Sequence, residues 1–280
     1  MIVVSASAEL LRISSFSVQT WGFIVALGIV LSLTFLFIEA GKKKKLDETE
    51  NLIIYTAIFA IIGARIAYIL VNLGEFSSLI DIINIWKGGM ISYGMILGGI
   101  AGICIFKLIT KINSENLFKL LDLMAPYLIL AIAIGRIGCF FRGCCFGLPT
   151  NLPWGVLYTG ENALTEGAVH PTQLYHSILD FIIFFVLLKI NRKKEILEEK
   201  KIKSKYAFFN IYGSTFLLFI MLYSAERFFV DFLRFHLPGE YIGVASITQI
   251  VFLFTFAAAW LALKKIKKEK INGIKSRRLR

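Results

Sequence analysis

Residues 18–40 read VQTWGFIVALGIVLSLTFLFIEA, and the tetrad Lys42-Lys43-Lys44-Lys45 follows almost at once. A helix rises about 1.5 Å per residue, so about 20 apolar residues suffice to cross the hydrocarbon layer of a bilayer. The stretch is long enough, and the lysines at its end are the cytoplasmic anchor that the positive-inside rule asks for. Similar runs recur at approximately 51–73, 90–110, 117–138, 172–190, 207–230 and 244–263. The expected fold class is all-α: a polytopic integral membrane protein with about seven transmembrane helices and an outer-side arm or loop.

Composition agrees. Of 280 residues, 57% are hydrophobic, against about 45–50% in soluble domains, and the mean hydropathy is +0.71. One membrane domain over 1–280 is the expectation. The net charge of +12 does not point to nucleic acid, because the basic residues lie in loops between apolar runs. They fill a loop at 191–206, with Arg192, Lys193, Lys194, Lys200, Lys201, Lys203 and Lys205, and a tail at 264–280. If the spans alternate, both face the same side as the Lys42 tetrad, and the other side holds Arg12, Lys87, Arg142 and Arg234. That places the N-terminus outside and the C-terminus in the cytoplasm. The first residues lack a charged start, a short apolar run and a cleavage site, so no signal peptide is expected. The long segment 139–170 falls outside; with Trp154, Tyr158 and two of the five prolines it is expected to be an ordered functional arm. Residues 192–205 are expected to be solvated rather than helical.

Charges inside spans demand a reason, since an arginine near the bilayer centre costs at least about 2.5–3.5 kcal/mol. Arg65, Arg136 and Arg227 lie within or at the edges of spans. Arg136 and Arg227 fall toward the outer ends, where positive-inside anchoring does not ask for them. A shared polar cavity for an anionic headgroup is the expectation, because guanidinium grips phosphate through paired charge-assisted hydrogen bonds. Asp231, one turn after Arg227, is expected to pair with it or with Arg234. Asp122 is a buried-acid candidate or a cytoplasmic-end residue. Gly98 and Gly102 suit close helix packing, and Gly88-Gly89, ahead of Ser92 and Tyr93, suits close approach of a ligand to backbone.

There are four cysteines. Cys104, in an apolar run, is expected in the core. Cys139, Cys144 and Cys145 cluster just after Arg136 and leave three readings open: structural thiols or a disulfide, a nucleophile beside Arg136, or zinc ligands. Only three thiols are present and their spacing matches no common zinc site, so neither a metal nor a cofactor is expected. Pro171, in the segment His170-Pro171-Thr172-Gln173-Leu174-Tyr175, suits the first turn of a span.

The order of these segments resembles the prolipoprotein diacylglyceryl transferase family from near the first span to the last. The matching pieces are Thr20-Trp21-Gly22, Gly63-Ala64-Arg65, Gly88 to Gly94, Asp122 with Ala125-Pro126, Gly135-Arg136-Ile137-Gly138-Cys139-Phe140 through Gly143 and Gly147, the segment from His170 to Tyr175, Tyr223 with Arg227 and Asp231, and Ser246 with Gln249. The resemblance implies transfer of a diacylglyceryl group from phosphatidylglycerol to the lipobox cysteine thiol of a prolipoprotein, with a glycerol phosphate released, by a monomer in the bacterial inner membrane. It implies Arg136, Arg227 and Tyr93 as catalytic residues, Arg136 holding the lipid phosphate and Arg227 the headgroup or leaving phosphate. It implies Arg65, Trp21, Ser92, Cys139, Gly147, Gln173, Tyr175, Tyr223 and Asp231 as substrate-binding. The family usually carries His at Tyr93, Asn at Cys139, an acid at Cys144 and Tyr at Trp21. A phenol is a poor base at neutral pH unless a cation acidifies it, so the departures bear on proton transfer and on the acceptor. A related lipid transferase with another acceptor and a non-enzymatic lipid-binding protein are the alternatives.

Overall fold

A computed structural model describes residues 2–6, 9–13, 16–75, 89–160, 165, 167–200, 208, 211–236 and 238–278. Its long helices are α1 (Thr20–Lys42), α2 (Leu46–Val71), α3 (Ser92–Thr110), α4 (Ser114–Arg142), α5 (Thr172–Glu199), α6 (Ser214–Asp231) and α7 (Ile247–Arg278). Short strands join them: β1 (Ile2–Ser5), β2 (Glu9–Ile13), β3 (Phe16–Gln19), β4 (Val156–Thr159), β5 (Tyr241–Ile242) and β6 (Ala245–Ser246). Among the described residues, six helices are long and apolar enough to cross a membrane. The exception, α6, has 18 residues and carries Glu226, Arg227 and Asp231.

Burial is inverted relative to a soluble protein. On α5, Thr172, Gln173, His176, Ser177 and Asp180 are buried, while Ile178, Ile182 and Phe185 are each more than half exposed. Polar groups face inward and apolar groups outward, as lipid requires. The chain is a polytopic membrane protein.

It packs as two compact units, Met1–Leu36 with Leu121–Arg280, and Phe37–Leu120. In the second unit α2 and α3 cross through a glycine stripe. A Cβ on Gly94 would lie 2.3 Å from Gly63 O, one on Gly98 2.1 Å from Phe59 O, and one on Gly102 2.7 Å from Tyr55 O. The partners recede as the glycines advance, so the helices run antiparallel at backbone contact. Cys104 departs from expectation: it is exposed, on the face of α3 away from that contact.

In the first unit, α4, α5 and α6 share a core of Ala125, Ile129, Ile183, Leu187 and Phe219. Pro126 sits inside α4 and cannot donate to the carbonyl of Asp122 four residues back. Asn191 Nδ2 takes the vacancy, donating to Asp122 O at 2.6 Å. The Asp122 carboxylate accepts from Gly213 N and Phe216 N, both at 2.9 Å, and so caps α6. Lys194 Nζ completes the knot, 2.9 Å from Asp122 Oδ2. Asp122 is therefore a structural acid.

Three boundaries differ from the sequence reading. Helix α5 continues to Glu199, because residues 192–199 are nearly all strong helix formers. Helix α7 continues to Arg278, where a tail is expected from 264. The N-terminal strands carry no apolar periodicity long enough to stand out: β1 pairs in parallel with β4 in the register Ile2↔Val156 to Ser5↔Thr159. That pairing encloses Ala6, Phe140, Val156, Tyr158 and Val169 in a second core. Within the segment 139–170, the described residues are tied by bridges Gly147↔Arg234 and Pro149↔Val169; residues 161–164 and 166 lie outside the described residues.

Candidate active site

Helices α5 and α6 bring four ionisable side chains into the first unit's interior. His176 and Asp180 are one turn apart on the buried face of α5, and Glu226 and Arg227 are buried on α6. Arginine has donors only, so the 3.2 Å contact between Arg227 Nη1 and His176 Nε2 makes Nε2 the acceptor. The ring proton then sits on Nδ1 and is donated to Glu226 Oε1. A neutral histidine thus links a cation to a carboxylate and fixes the guanidinium. The Phe252 ring packs 5.4 Å from the Arg227 guanidinium carbon.

Arg136, on α4, lies within electrostatic range of Arg227, Tyr223, Cys139, Cys145 and Asp180. Asp180 is fully buried, and neither of its oxygens has a hydrogen-bond partner among the described residues. Arg227 Nε is likewise buried without one. The interior is balanced on paper, two arginines against two carboxylates, yet its hydrogen-bonding capacity is unspent. Groups left in that state are placed to meet a polar ligand. Tyr223 packs between Phe219, at 6.1 Å, and Phe252, at 5.7 Å.

Asp231 does not pair as expected. Its Oδ2 accepts from Ser246 Oγ and lies 3.0 Å from His236 Nε2. The chain reverses after α6 through a 3₁₀ turn, Pro238–Glu240, and the β5–β6 hairpin, which returns Ser246 to the end of α6. Ser246 and Gln249 form a reciprocal cap on α7: Ser246 N donates to Gln249 Oε1 and Gln249 N to Ser246 Oγ, both at 3.0 Å.

The segment from His170 to Tyr175 holds the loop after Arg136. Gln173 Nε2 donates to Cys144 O at 2.6 Å and to Tyr158 OH at 3.1 Å, and Thr172 Oγ1 donates to Cys145 O at 2.8 Å. Tyr175 OH accepts from Trp154 Nε1 at 2.8 Å and lies 3.2 Å from His170 Nδ1. Pro171 sits at the N-cap, one residue before α5 begins. Only glycine fits at 147, where a Cβ would lie 2.4 Å from Leu233 O. Burial pushes the Tyr158 hydroxyl above its ordinary range. The three thiols of Cys139, Cys144 and Cys145 are free, with sulfurs within 4.8 Å of one another. Cys144 Sγ donates to Cys139 O at 3.7 Å, and the close packing of the three thiols holds Cys145 below its usual range while pushing Cys144 up.

Trp21 belongs to the same unit; it is partly exposed, with the Arg142 guanidinium 5.9 Å from its ring. Arg65 and Tyr93 fall in the other unit. There Arg65 Nη1 donates to Gly89 O at 3.1 Å and sits 5.6 Å from the Tyr68 ring. Gly89 takes a positive φ of 81° and has no room for a Cβ, which would meet Tyr68 at 2.5 Å. Tyr93 is exposed. Gly88 and the Ser92 side chain lie outside the described residues.

A family model described as prolipoprotein diacylglyceryl transferase matches residues 8–264. The chain belongs to that family. It is 34% identical over 249 residues to the phosphatidylglycerol–prolipoprotein diacylglyceryl transferase of Clostridium tetani, covering 88% of this chain and 92% of the relative. It is 32% identical to the second such enzyme of Clostridium perfringens, covering 94% of this chain and 98% of the relative. A Finegoldia magna relative of the same name is 31% identical over 91% of this chain and 94% of its own length.

For a member of a lipid transferase family, the interior described above holds more than the sequence singled out. Sequence alone assigns no role to His176, Asp180 or Glu226. The signal was available: each is an ionisable residue inside an apolar run, the same ground that picked out Arg136 and Arg227.

Proposed function

We propose that the protein transfers the diacylglyceryl group of phosphatidylglycerol to the lipobox cysteine thiol of prolipoproteins, releasing a glycerol phosphate. It works as a monomer in the bacterial inner membrane, with seven spans, its N-terminus outside and its C-terminus cytoplasmic. The observation that carries this reading is the pairing of Arg136 and Arg227: two costly membrane cations within electrostatic range of each other, one with a buried Nε that has no partner among the described residues.

In this reading the lipid phosphate lies against the open edge of Arg227 and against Arg136. The acceptor thiol gives up its proton to water, its sulfur attacks the glyceryl carbon, the C–O bond breaks, and the electron pair leaves on the phosphate oxygen. The arginines stabilise that developing charge, and their fixed positions spare reorganisation. His176 and Glu226 hold Arg227 in register. Holding lipid and peptide together supplies much of the remaining acceleration. The segment 139–170 forms the outer arm beside the site. Tyr93, Arg65, Ser92 and Trp21 enter at the family's positions, as do Gly147, Gln173, Tyr175, Tyr223 and Asp231.

The test is direct. Purified protein, phosphatidylglycerol and a lipobox peptide should yield peptide heavier by one diacylglyceryl group, and a Cys→Ser peptide should yield none. Consumption of the lipid with no gain on the lipobox peptide would move the reading to another acceptor; no consumption of the lipid would end it.

A further inference from the structure

We propose that Cys139, Cys144 and Cys145 bind one thiophilic divalent cation, zinc in the first instance, as three thiolates, with a fourth position open to the acceptor thiol. The inference rests on the transfer to a thiol proposed above.

Spacing along the chain gave no zinc expectation, because ligand motifs are read as pairs of cysteines a few residues apart. Folding changes the picture. The three sulfurs lie within 4.8 Å of one another. Zinc bonds to sulfur at about 2.3 Å, so sulfurs sharing one tetrahedral ion are about 3.8 Å apart. Sharing one ion would draw the sulfurs together by up to about 1 Å.

The loop that carries the thiols is held from outside. Gln173 and Thr172 fix the carbonyls of Cys144 and Cys145. Cys145 takes a φ of 62°, a left-handed conformation that an L residue avoids, two residues beyond Gly143 at 72°. That turn swings Cys145 back toward Cys139. A zinc ion with three thiolates carries one negative charge. Arg136 and Arg234 both lie within electrostatic range of Cys145, and Arg234 Nε is buried without a hydrogen-bond partner among the described residues. The cluster is therefore placed where a net anion is favoured.

Three protein ligands with one open position is the pattern of a catalytic rather than a structural zinc site. A thiol that enters the open position is deprotonated by the metal. The acceptor R–SH would bind and release its proton to water on the outer side. The bound sulfur's lone pair forms the S–C bond to the glyceryl carbon while the C–O bond breaks and the pair leaves on the phosphate oxygen. The thioether product is neutral, a weaker ligand, and departs. Cys139 lies one turn beyond Arg136 on α4, so thiol and phosphate would meet at adjacent positions. The site supplies a thiolate in a chain where Tyr93 stands at the family's histidine position.

The experiment uses the full chain, purified anaerobically in detergent and loaded with zinc or cobalt. Elemental analysis should give about one zinc per chain for the unsubstituted protein and for Cys104→Ser, and little for Cys144→Ser or the triple Cys→Ser variant. The cobalt form should show thiolate-to-metal charge-transfer absorption, and its visible bands should change with a lipobox peptide but not with a Cys→Ser peptide. At pH 7 a free thiol of pKa about 8.5 is only a few per cent ionised, so the triple variant should transfer roughly thirtyfold more slowly and recover as pH rises. Zinc content unchanged by the substitutions, a disulfide among the three cysteines in active protein, or a cobalt spectrum indifferent to the peptide thiol would overturn the proposal. Metal content and the cobalt spectrum do not need lipid turnover, so they separate this failure from failure of the transferase reading.

Discussion

Replacing Arg227 by lysine tests the phosphate site at its best-defined atom. The guanidinium is already divided: Nη1 donates to His176 at 3.2 Å, and Nε is buried with no partner among the described residues. Phosphate recognition needs the unspent edge, while orientation needs the His176 contact. Lysine keeps the charge but offers one nitrogen, which cannot reach His176 and fork onto phosphate together. At least one charge-assisted hydrogen bond is lost, at about 1.5–3 kcal/mol. At about 1.4 kcal/mol per factor of ten, R227K should lower kcat/KM for phosphatidylglycerol roughly tenfold to just over a hundredfold. The assay is transfer to a lipobox peptide followed by mass spectrometry, alongside thermal unfolding in the same detergent. R227K with unaltered kcat/KM would falsify the phosphate role. A loss of activity matched by collapse of the unfolding transition would assign Arg227 to folding instead.

The other predictions concern neighbouring parts of the chain. R136K should behave as R227K does, with R136A worse, and full transfer by R136A would remove that residue from the site. Asp122→Ala uncaps α6 and removes the carboxylate beside Lys194, which keeps its bonds to Ile211 O and Ser214 Oγ, so it should cost about 1–3 kcal/mol of stability; an unchanged melting temperature for D122A would refute the capping role. Gly98→Leu should prevent α2 and α3 from meeting, since even a Cβ there would lie 2.1 Å from Phe59 O; a well-expressed, active G98L protein would contradict the contact. Single cysteines introduced at positions 43 and 161 should label from the cytoplasm and from outside, respectively, and labelling from one side would reject the alternating topology.

How much of this was legible in the sequence depended on how local the physics is. Apolar runs are local, and each expected span overlaps one of the long helices. The glycine stripe of α3 is local too, and Gly98 and Gly102 pack as small residues should. Helix ends proved harder. A run of lysines reads as a solvated loop, but the mixed Lys, Arg, Glu and Leu of residues 192–199 prolong α5 instead. Long-range pairings left no trace: β1 finds β4 more than 150 residues away, and nothing within four residues of Ile2 announces it. Asp231 shows the same limit from the other side. The one-turn spacing to Arg227 favoured an ion pair, and the chain reversal after α6 delivered Ser246 and His236 to the carboxylate instead.

The interior charges carry the last step. In the sequence Arg136 has no acid one helical turn away, and Arg227 has only Asp231. In the fold each has an internal counterpart, Asp180 and Glu226, and a histidine whose only consistent tautomer joins Arg227 to Glu226. An arginine fully neutralised by its neighbours would need no lipid. What keeps the site receptive is incomplete hydrogen bonding rather than incomplete charge: Asp180, Glu226 Oε2 and Arg227 Nε are buried and partnerless among the described residues. Unpaired polar atoms in a membrane interior are expensive, and a headgroup that arrives with both a phosphate and hydroxyl donors can satisfy the arginine and the carboxylates at once. The glycerol headgroup of phosphatidylglycerol has that composition. A lipid with a phosphate and no free hydroxyl would leave the carboxylates unmet, so discrimination among anionic lipids should fall on Asp180 and Glu226, while affinity for phosphate falls on the arginines.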